Sequence, residues 1–400
     1  MKGNAVIGQS GGPTSVINAS LAGVLSEVKN TDMIDSLLGM HYGIEGLMNE
    51  WLINLGKQPS QVLEKLKTTP SSALGSSRYK LKEEDFPPLL EILKKYTIRY
   101  FFLIGGNDSM DTINRLESYC REQKYELVGI GVPKTVDNDL YGTDHTPGFP
   151  SAAKSNILNV MQAGVLARNM QKVDQYVVYQ TIGRDAGWLA AATALARKQE
   201  DDAPHLVYPP EIVFDEQKFL DDVKKVQEKY GWVSVVVSEG LKYADGTPVS
   251  ASKEKDKFDN MEFGAMGGAS VGLNVHSMIN KEFGWRGEFQ ITESLIMSDI
   301  ARSVPQDIEE AFQCGVKAVQ LAEQEDSGHM VCMNRISTEP YQINYEKVPL
   351  SEVAVRAKSM PRNYMNAEGN FPSPLFTEYI RPLIDELPEF TRLEMKYLNK

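Results

Sequence analysis

The stretch AVIGQSGGPTSVIN, residues 5–18, decides how the fold is read. A short apolar run, Ala5 to Ile7, stops at a glycine-rich turn, and from Ser15 to Val28 the apolar residues recur at helical spacing. Strand, tight turn and helix form the opening unit of an α/β protein. The unit recurs: Tyr100 to Ile104 precede GGNDS, Leu127 to Ile130 precede GVPKTVDND, Tyr176 to Gln180 precede TIGRDAGW, and Val233 to Val237 precede SEG. Continuous rather than alternating apolar runs suit strands buried on both faces, as in a parallel sheet. Ligands gather at the carboxyl ends of such strands, so the polar loops that follow these runs are expected to share one cleft.

Two helices, Ser15 to Val28 and Asp108 to Cys120, are expected to start just after glycine turns, where free N–H groups attract anions. Residues 201–230 read as a loop followed by a charged helix, and the lysine- and aspartate-rich stretch Lys242 to Asp259 as an exposed loop.

A chain of 400 residues with 42% hydrophobic and 24% charged residues can bury a large core, which excludes disordered and fibrous classes. Lys plus Arg number 42 against 54 Asp plus Glu, a net charge of -12, which argues against nucleic acid and anionic membrane as partners. Any attraction for small anions is then expected to be local, making the cleft the main positive region of a negative surface. Cys120, Cys314 and Cys332 are too scattered for a disulfide framework or a thiolate zinc site and fit a reducing compartment, so the chain is expected to be cytoplasmic. The N-terminus lacks the apolar core of a signal peptide, and no apolar stretch is long enough to span a membrane.

The glycine loops carry the chemistry. In GQSGGPTSVIN, Gly11 and Gly12 let a bare backbone approach a phosphate, although the loop matches neither common nucleotide fingerprint. GGNDSMDT sets Asn107 and Asp108 at a strand end and a helix start. PKTVDND says most: Asp137 and Asp139 flank an amide, and Lys134 precedes them, a compact set of base, metal-orienting group and cation. Arg184 in IGRDAGW offers a guanidinium fork for a phosphate or sugar hydroxyl, unless it serves a structural bridge near Asp185. Glu239 in SEGL can accept from hydroxyls. His41, His145, His205, His276 and His329 show no metal-ligand spacing and read as structural, and no G-x-S-x-G elbow supplies an acyl-transfer nucleophile.

Taken in order, GQSGGPTSVIN, LGSSR, GGNDS, PKTVDND, IGRDAGW and SEG resemble the phosphofructokinases, specifically their pyrophosphate-dependent branch. The resemblance runs from about Ala5 through SVPQDIEEAFQCGVKAV (Ser303 to Val319) to YIRPLI. It implies two Rossmann-like α/β domains with mainly parallel sheets, helices on both faces and the active site in the cleft between them. The larger would take 1–140 plus about 290–400 and the smaller 141–289. The implied reaction is transfer of a phosphoryl group from pyrophosphate to the C1 hydroxyl of fructose 6-phosphate, in a homo-oligomer (dimer or tetramer) that uses Mg2+.

Carried over by the resemblance, Asp137 is the base, with Lys134 and Asp139 as catalytic neighbours. Gly11, Gly12, Arg78, Asp108 and Ser109 hold pyrophosphate; Thr135, Val136, Asp137, Ile182, Gly183, Arg184 and Glu239 hold the sugar phosphate; Asn107 stands at the metal position. ATP users carry glycine where this chain has Asp108 and Lys134. A carboxylate about 5 Å from a phosphate charge costs roughly 3 kcal/mol at an effective dielectric near 20, about two decades of discrimination.

Several positions depart from the family pattern. Asn107 replaces an aspartate, and TESLIMSDIARS (Thr292 to Ser303) lacks the Q-R that grips the 6-phosphate, leaving Arg286 and Arg302 as the arginines nearby. Gln175 stands where many members carry an arginine supplied across a subunit interface. The alternatives are an ATP-dependent or mixed-donor enzyme and a non-catalytic regulatory paralogue that binds sugar phosphate.

Overall fold

The computed structural model describes residues 1–250 and 270–396. Strands β1 (Gly3–Gln9), β2 (Ile34–Met40), β3 (Leu52–Asn54), β4 (Ile98–Gly105) and β5 (Val128–Pro133) build most of one sheet. Strands β6 (Tyr176–Thr181), β7 (Leu206–Tyr208), β8 (Val233–Ser238) and β9 (Gly287–Ile291) build a second, and β10 (His329–Thr338) and β11 (Tyr341–Pro349) return to the first. The first sheet is seven-stranded in the order β11-β10-β5-β4-β1-β2-β3, and the second four-stranded in the order β7-β8-β6-β9. The second sheet is parallel throughout. In the first, only the edge pairs β2–β3 and β10–β11 are antiparallel.

Burial on both faces explains the continuous apolar runs. Along β4, Tyr100, Phe102 and Ile104 enter one core cluster while Phe101 and Leu103 enter the cluster on the opposite face. Along β6, Val177 and Tyr179 pack to one side and Tyr176 and Val178 to the other. Each such side chain withdrawn from water is worth about 1.5–3 kcal/mol, which fixes these central strands firmly. The chain is thus α/β, with mainly parallel sheets and flanking helices, as expected.

Two local readings need correction. The first helix spans Ile17–Glu27, well beyond Gly11 and Gly12, and its first turn is buried. Gly23 and Gly315 pack it so tightly against the helix Pro305–Glu323 that an added Cβ would meet backbone 2.0–2.1 Å away. The middle of this helix is thus a packing element, and its start lies two residues later than expected. Residues 201–230 contain β7 as well as the helix Glu216–Tyr230; three residues hemmed by prolines leave too short a run to be recognised as a strand. Of the stretch expected as an exposed loop, Lys242 bridges Pro248 beside a turn at Tyr243–Gly246, and 251–259 lie outside the described residues.

Candidate active site

One cleft of about 520 Å³ collects residues from the carboxyl ends of β1, β4 and β5 in the first sheet and of β6 and β8 in the second. Gly11, Gly12, Arg78, Asn107, Asp108, Ser109, Lys134, Thr135, Val136, Asp137, Asp139, Ile182, Arg184 and Glu239 all line it. Of the sequence candidates, Gly183 alone stands behind the wall. Its N–H donates to Glu239 Oε1 at 3.2 Å, so it orients that carboxylate.

The glycine loop is held from below by Gln9, which is fully buried. Its Nε2 donates to Asn18 Oδ1 at 2.8 Å and its Oε1 accepts from Leu74 N at 2.9 Å. Gly11 N then donates to Ser77 O at 3.2 Å, which seats LGSSR, and hence Arg78, beside the loop. Gly11 adopts φ 75°, a left-handed conformation that favours glycine, and an added Cβ would lie 3.3 Å from Lys134 Nζ.

Lys134 is 4% exposed and its Nζ donates to Gly12 O at 2.7 Å. Burial pulls its pKa down to about 8, against the charges of Asp137 and Asp139, which favour the proton. Asp137 N donates to Thr135 Oγ1 at 3.1 Å, and Thr146 Oγ1 donates to Thr135 O at 2.7 Å, which pins the turn. Burial first, then repulsion from Asp139 and Glu239, raises the Asp137 pKa above the usual carboxylate range. A carboxylate so perturbed in a cleft suits a general base. Burial likewise pushes Glu239 up to about 7, with Glu293 adding to the push.

At the other end, no side chain caps the helix Asn107–Glu122, whose first turn lines the cleft. Its uncapped N-terminus therefore borders the cleft. Asp108 is paired there with Lys80, 3.2 Å away. Both side chains are largely exposed, so the pair only weakly offsets the carboxylate on which the expected discrimination against ATP rests. Asp185 pairs with Lys242 at 2.9 Å.

Other residues were not legible as site residues. Lys80, two residues past Arg78, and Glu293, two residues past the end of β9, line the cleft together with Met297 and Lys358. Arg286 pairs with Asp174 at 2.8 Å and Arg302 donates to Asn159 Oδ1 at 2.5 Å; neither lines this chain's cleft. Gln175 precedes β6, opposite the end that carries Arg184, and its Oε1 accepts from Arg286 N. The lining is also less positive than expected. Arg78, Lys80, Lys134, Arg184 and Lys358 are balanced by Asp108, Asp137, Asp139, Asp185, Glu239 and Glu293.

His145, His205, His276 and His329 each make a hydrogen bond within the fold, and the His41 ring lies against Tyr42. Among the described residues no cluster of His, Cys, Asp and Glu could by itself hold a metal ion. Nor is any described helix long and apolar enough to cross a membrane.

With this arrangement, residues 4–338 match the phosphofructokinase family profile. The chain belongs to the phosphofructokinase family. It is 37% identical to the pyrophosphate–fructose 6-phosphate 1-phosphotransferase of Rhodospirillum rubrum, with 100% of each chain covered. It is 30% identical to the sulfofructose kinase of Alkalicoccus urumqiensis, with 97% of each covered. The crystal structure of the pyrophosphate-dependent phosphofructokinase from Nitrosospira multiformis superposes with a TM-score of 0.88 at 35% identity, covering 98% of this chain and 94% of that one. Phosphofructokinase membership accounts for the two sheets and the cleft between them.

Proposed function

We propose that this phosphofructokinase transfers a phosphoryl group from pyrophosphate to the C1 hydroxyl of fructose 6-phosphate, giving fructose 1,6-bisphosphate and phosphate. The observation that carries the reading is the buried Lys134 ammonium, fixed on Gly12 O in the same cleft as Asp137, with Asp108 at the opposite helix start. Asp137 takes the proton of the attacking hydroxyl, and its raised pKa makes it a competent base. Lys134 and Arg78 face the transferring group, where fixed cations stabilise developing charge. Asp108 narrows the space a nucleotide would need, and the glycine backbone at 11–12 cradles the donor. Ile182, Arg184, Glu239, Thr135 and Val136 form the acceptor wall, with Gly183 behind it.

Magnesium fits the donor end. Asn107 Oδ1 is buried with no hydrogen-bond partner among the described residues, and Asn107 Nδ2 lies 3.2 Å from Asp139 Oδ2. Such a sparse protein set suits an ion that keeps several waters and takes further ligands from substrate phosphates. Bound there by Asn107 and Asp139, it would offset the charge of the donor phosphates, which the mixed lining does not do alone.

The domain division we infer, 1–140 with about 290–400 and 141–289, is supported by the return of β10 and β11 to the first sheet. A homo-oligomer is supported by the exposed Leu166, Met170 and Val173 around the end of the helix Phe149–Asn169, and a cytoplasmic location by the free cysteines.

A second reading, another ketose derivative as acceptor, is favoured by Glu293, which lines the cleft near Glu239. Incubation of the purified chain with magnesium, pyrophosphate and either fructose 6-phosphate or 6-deoxy-6-sulfofructose, followed by phosphorus NMR, tests both. Fructose 1,6-bisphosphate is the expected product. Turnover of the sulfonate alone would replace the acceptor, and no product from either would refute the phosphotransferase reading.

A further inference from the structure

Asn138 separates Asp137 from Asp139 yet is itself fully buried, and it adopts a left-handed backbone with φ 55°. A non-glycine residue keeps that conformation only where its surroundings over-determine it. Here they do. Asn138 Oδ1 accepts from Thr146 N at 3.1 Å and from Lys358 Nζ at 3.1 Å, while its Nδ2 donates to Tyr379 OH at 3.0 Å. The side chain is gripped at both ends, so the two flanking carboxylates have one relative orientation.

Lys358 holds more than the amide. Its Nζ also donates to Thr143 O at 3.1 Å and Asp144 O at 2.8 Å, and its backbone N–H donates to Asp139 O at 2.7 Å. An ammonium has three N–H groups, and here three protein oxygens take them. The lysine is fixed in turn, because Trp188 Nε1 donates to Lys358 O at 3.2 Å and the ammonium stands 5.1 Å from the Trp188 ring centroid. Tyr379 OH donates to Asp144 O at 2.8 Å, and Arg335 Nη1 donates to Tyr379 O at 2.9 Å. Lys358 borders the cleft, but its hydrogen bonds run into the catalytic loop.

We propose that Lys358 and Tyr379 are positioning residues. They form a clamp from the C-terminal segment that fixes Asn138 and thereby aims Asp137 at the acceptor hydroxyl. In-line transfer depends on such alignment, and a displacement of about 1 Å is enough to cost roughly 10²-fold in rate.

The kinetic arm of the test rests on the phosphoryl-transfer reading; the exchange arm does not. Lys358→Met is expected to lower kcat about 10²-fold and Tyr379→Phe roughly tenfold, with both KM values within about threefold of the parent. Ethylammonium is expected to restore part of kcat to Lys358→Ala. In the substrate-free proteins, hydrogen exchange across 133–146 is expected to accelerate at least about tenfold in both variants. A parent enzyme inert with pyrophosphate and every ketose acceptor would refute the reaction, and the exchange rates would then decide the clamp alone. Unchanged exchange in Tyr379→Phe, which removes one oxygen and should still fold, would overturn the proposal. So would an unaltered kcat, or a loss expressed only in KM, which would mean that Lys358 binds substrate.

Discussion

Asn107 Nδ2 donates to Asp139 Oδ2 across 3.2 Å, an arrangement that leaves the amide's Oδ1 buried without a hydrogen-bond partner among the described residues. An aspartate at 107 would instead face Asp139 as a like charge. Asn107→Asp is therefore expected to melt at a lower temperature without magnesium and to recover on adding it, with half-saturating magnesium lowered several-fold. Thermal melts across a magnesium titration check this, and a variant indifferent to the metal would contradict the placement.

The ammonium of Lys134 gives activity an alkaline limit. Its folded pKa of about 8 lies below the ordinary lysine value, so the free enzyme loses this cation as pH rises through about 8. The kcat/KM for pyrophosphate is expected to fall over that range, and Lys134→Met is expected to cost about 10²–10³-fold in kcat at neutral pH. Lys134→Arg, whatever its residual rate, should lack the limb near pH 8. With Asp137 as the proposed base, its raised pKa is expected to set the acid side, with activity falling at a pH above the usual carboxylate range.

Stability responds to pH through a different group. His145 is fully buried between Asp144 Oδ2 at 2.9 Å and Glu310 Oε2 at 2.7 Å. Burial alone would lower its pKa, but Glu310 and Asp144 outweigh it and raise it to about 9. The folded state binds this proton more tightly than the unfolded chain. Its contribution is complete below the ordinary histidine pKa of about 6.5 and is lost as pH rises through about 9. The melting temperature is expected to drop by several degrees over that window, and His145→Gln is expected to flatten the response.

Asp108 and Lys80 stand paired at the donor end of the cleft. Because Lys80 sits 3.2 Å from the Asp108 carboxylate, Asp108→Gly removes bulk and also frees a cation at the donor end. ATP kcat/KM is expected to rise at least about tenfold in this variant, well within the roughly two decades a single charge can supply. Lys80→Met leaves the carboxylate uncompensated and is expected to raise the pyrophosphate KM several-fold. Steady-state rates with each donor decide it.

Much of the fold was legible because the central strands are buried on both faces: β1, β4, β5, β6 and β8 announce themselves as unbroken apolar runs. The hairpin β10–β11 offers the other signal, with Tyr341, Ile343 and Tyr345 alternating with polar residues as in a half-buried strand, and was not read from continuous runs. Most site residues were legible because a strand end or a glycine turn marks them. Lys358 was not. It meets Asn138 across 220 positions of sequence, from a segment with no motif, and only tertiary packing brings them together. Glu293 escaped because β9, which ends two residues before it, was not recognised as a strand, and the charge balance of the cleft changed with it.

The Lys134 ammonium and the Asp108 carboxylate are expected to commit the cleft to pyrophosphate, with Asp137 as base. Initial rates with fructose 6-phosphate and magnesium, measured over a range of pyrophosphate and of ATP for the parent chain and for Asp137→Asn, test it most directly. A kcat/KM for pyrophosphate at least about 10²-fold above that for ATP is expected, with a loss of about 10³-fold or more in the variant. Equal or better use of ATP, or an Asp137→Asn enzyme that retains its rate, would contradict it.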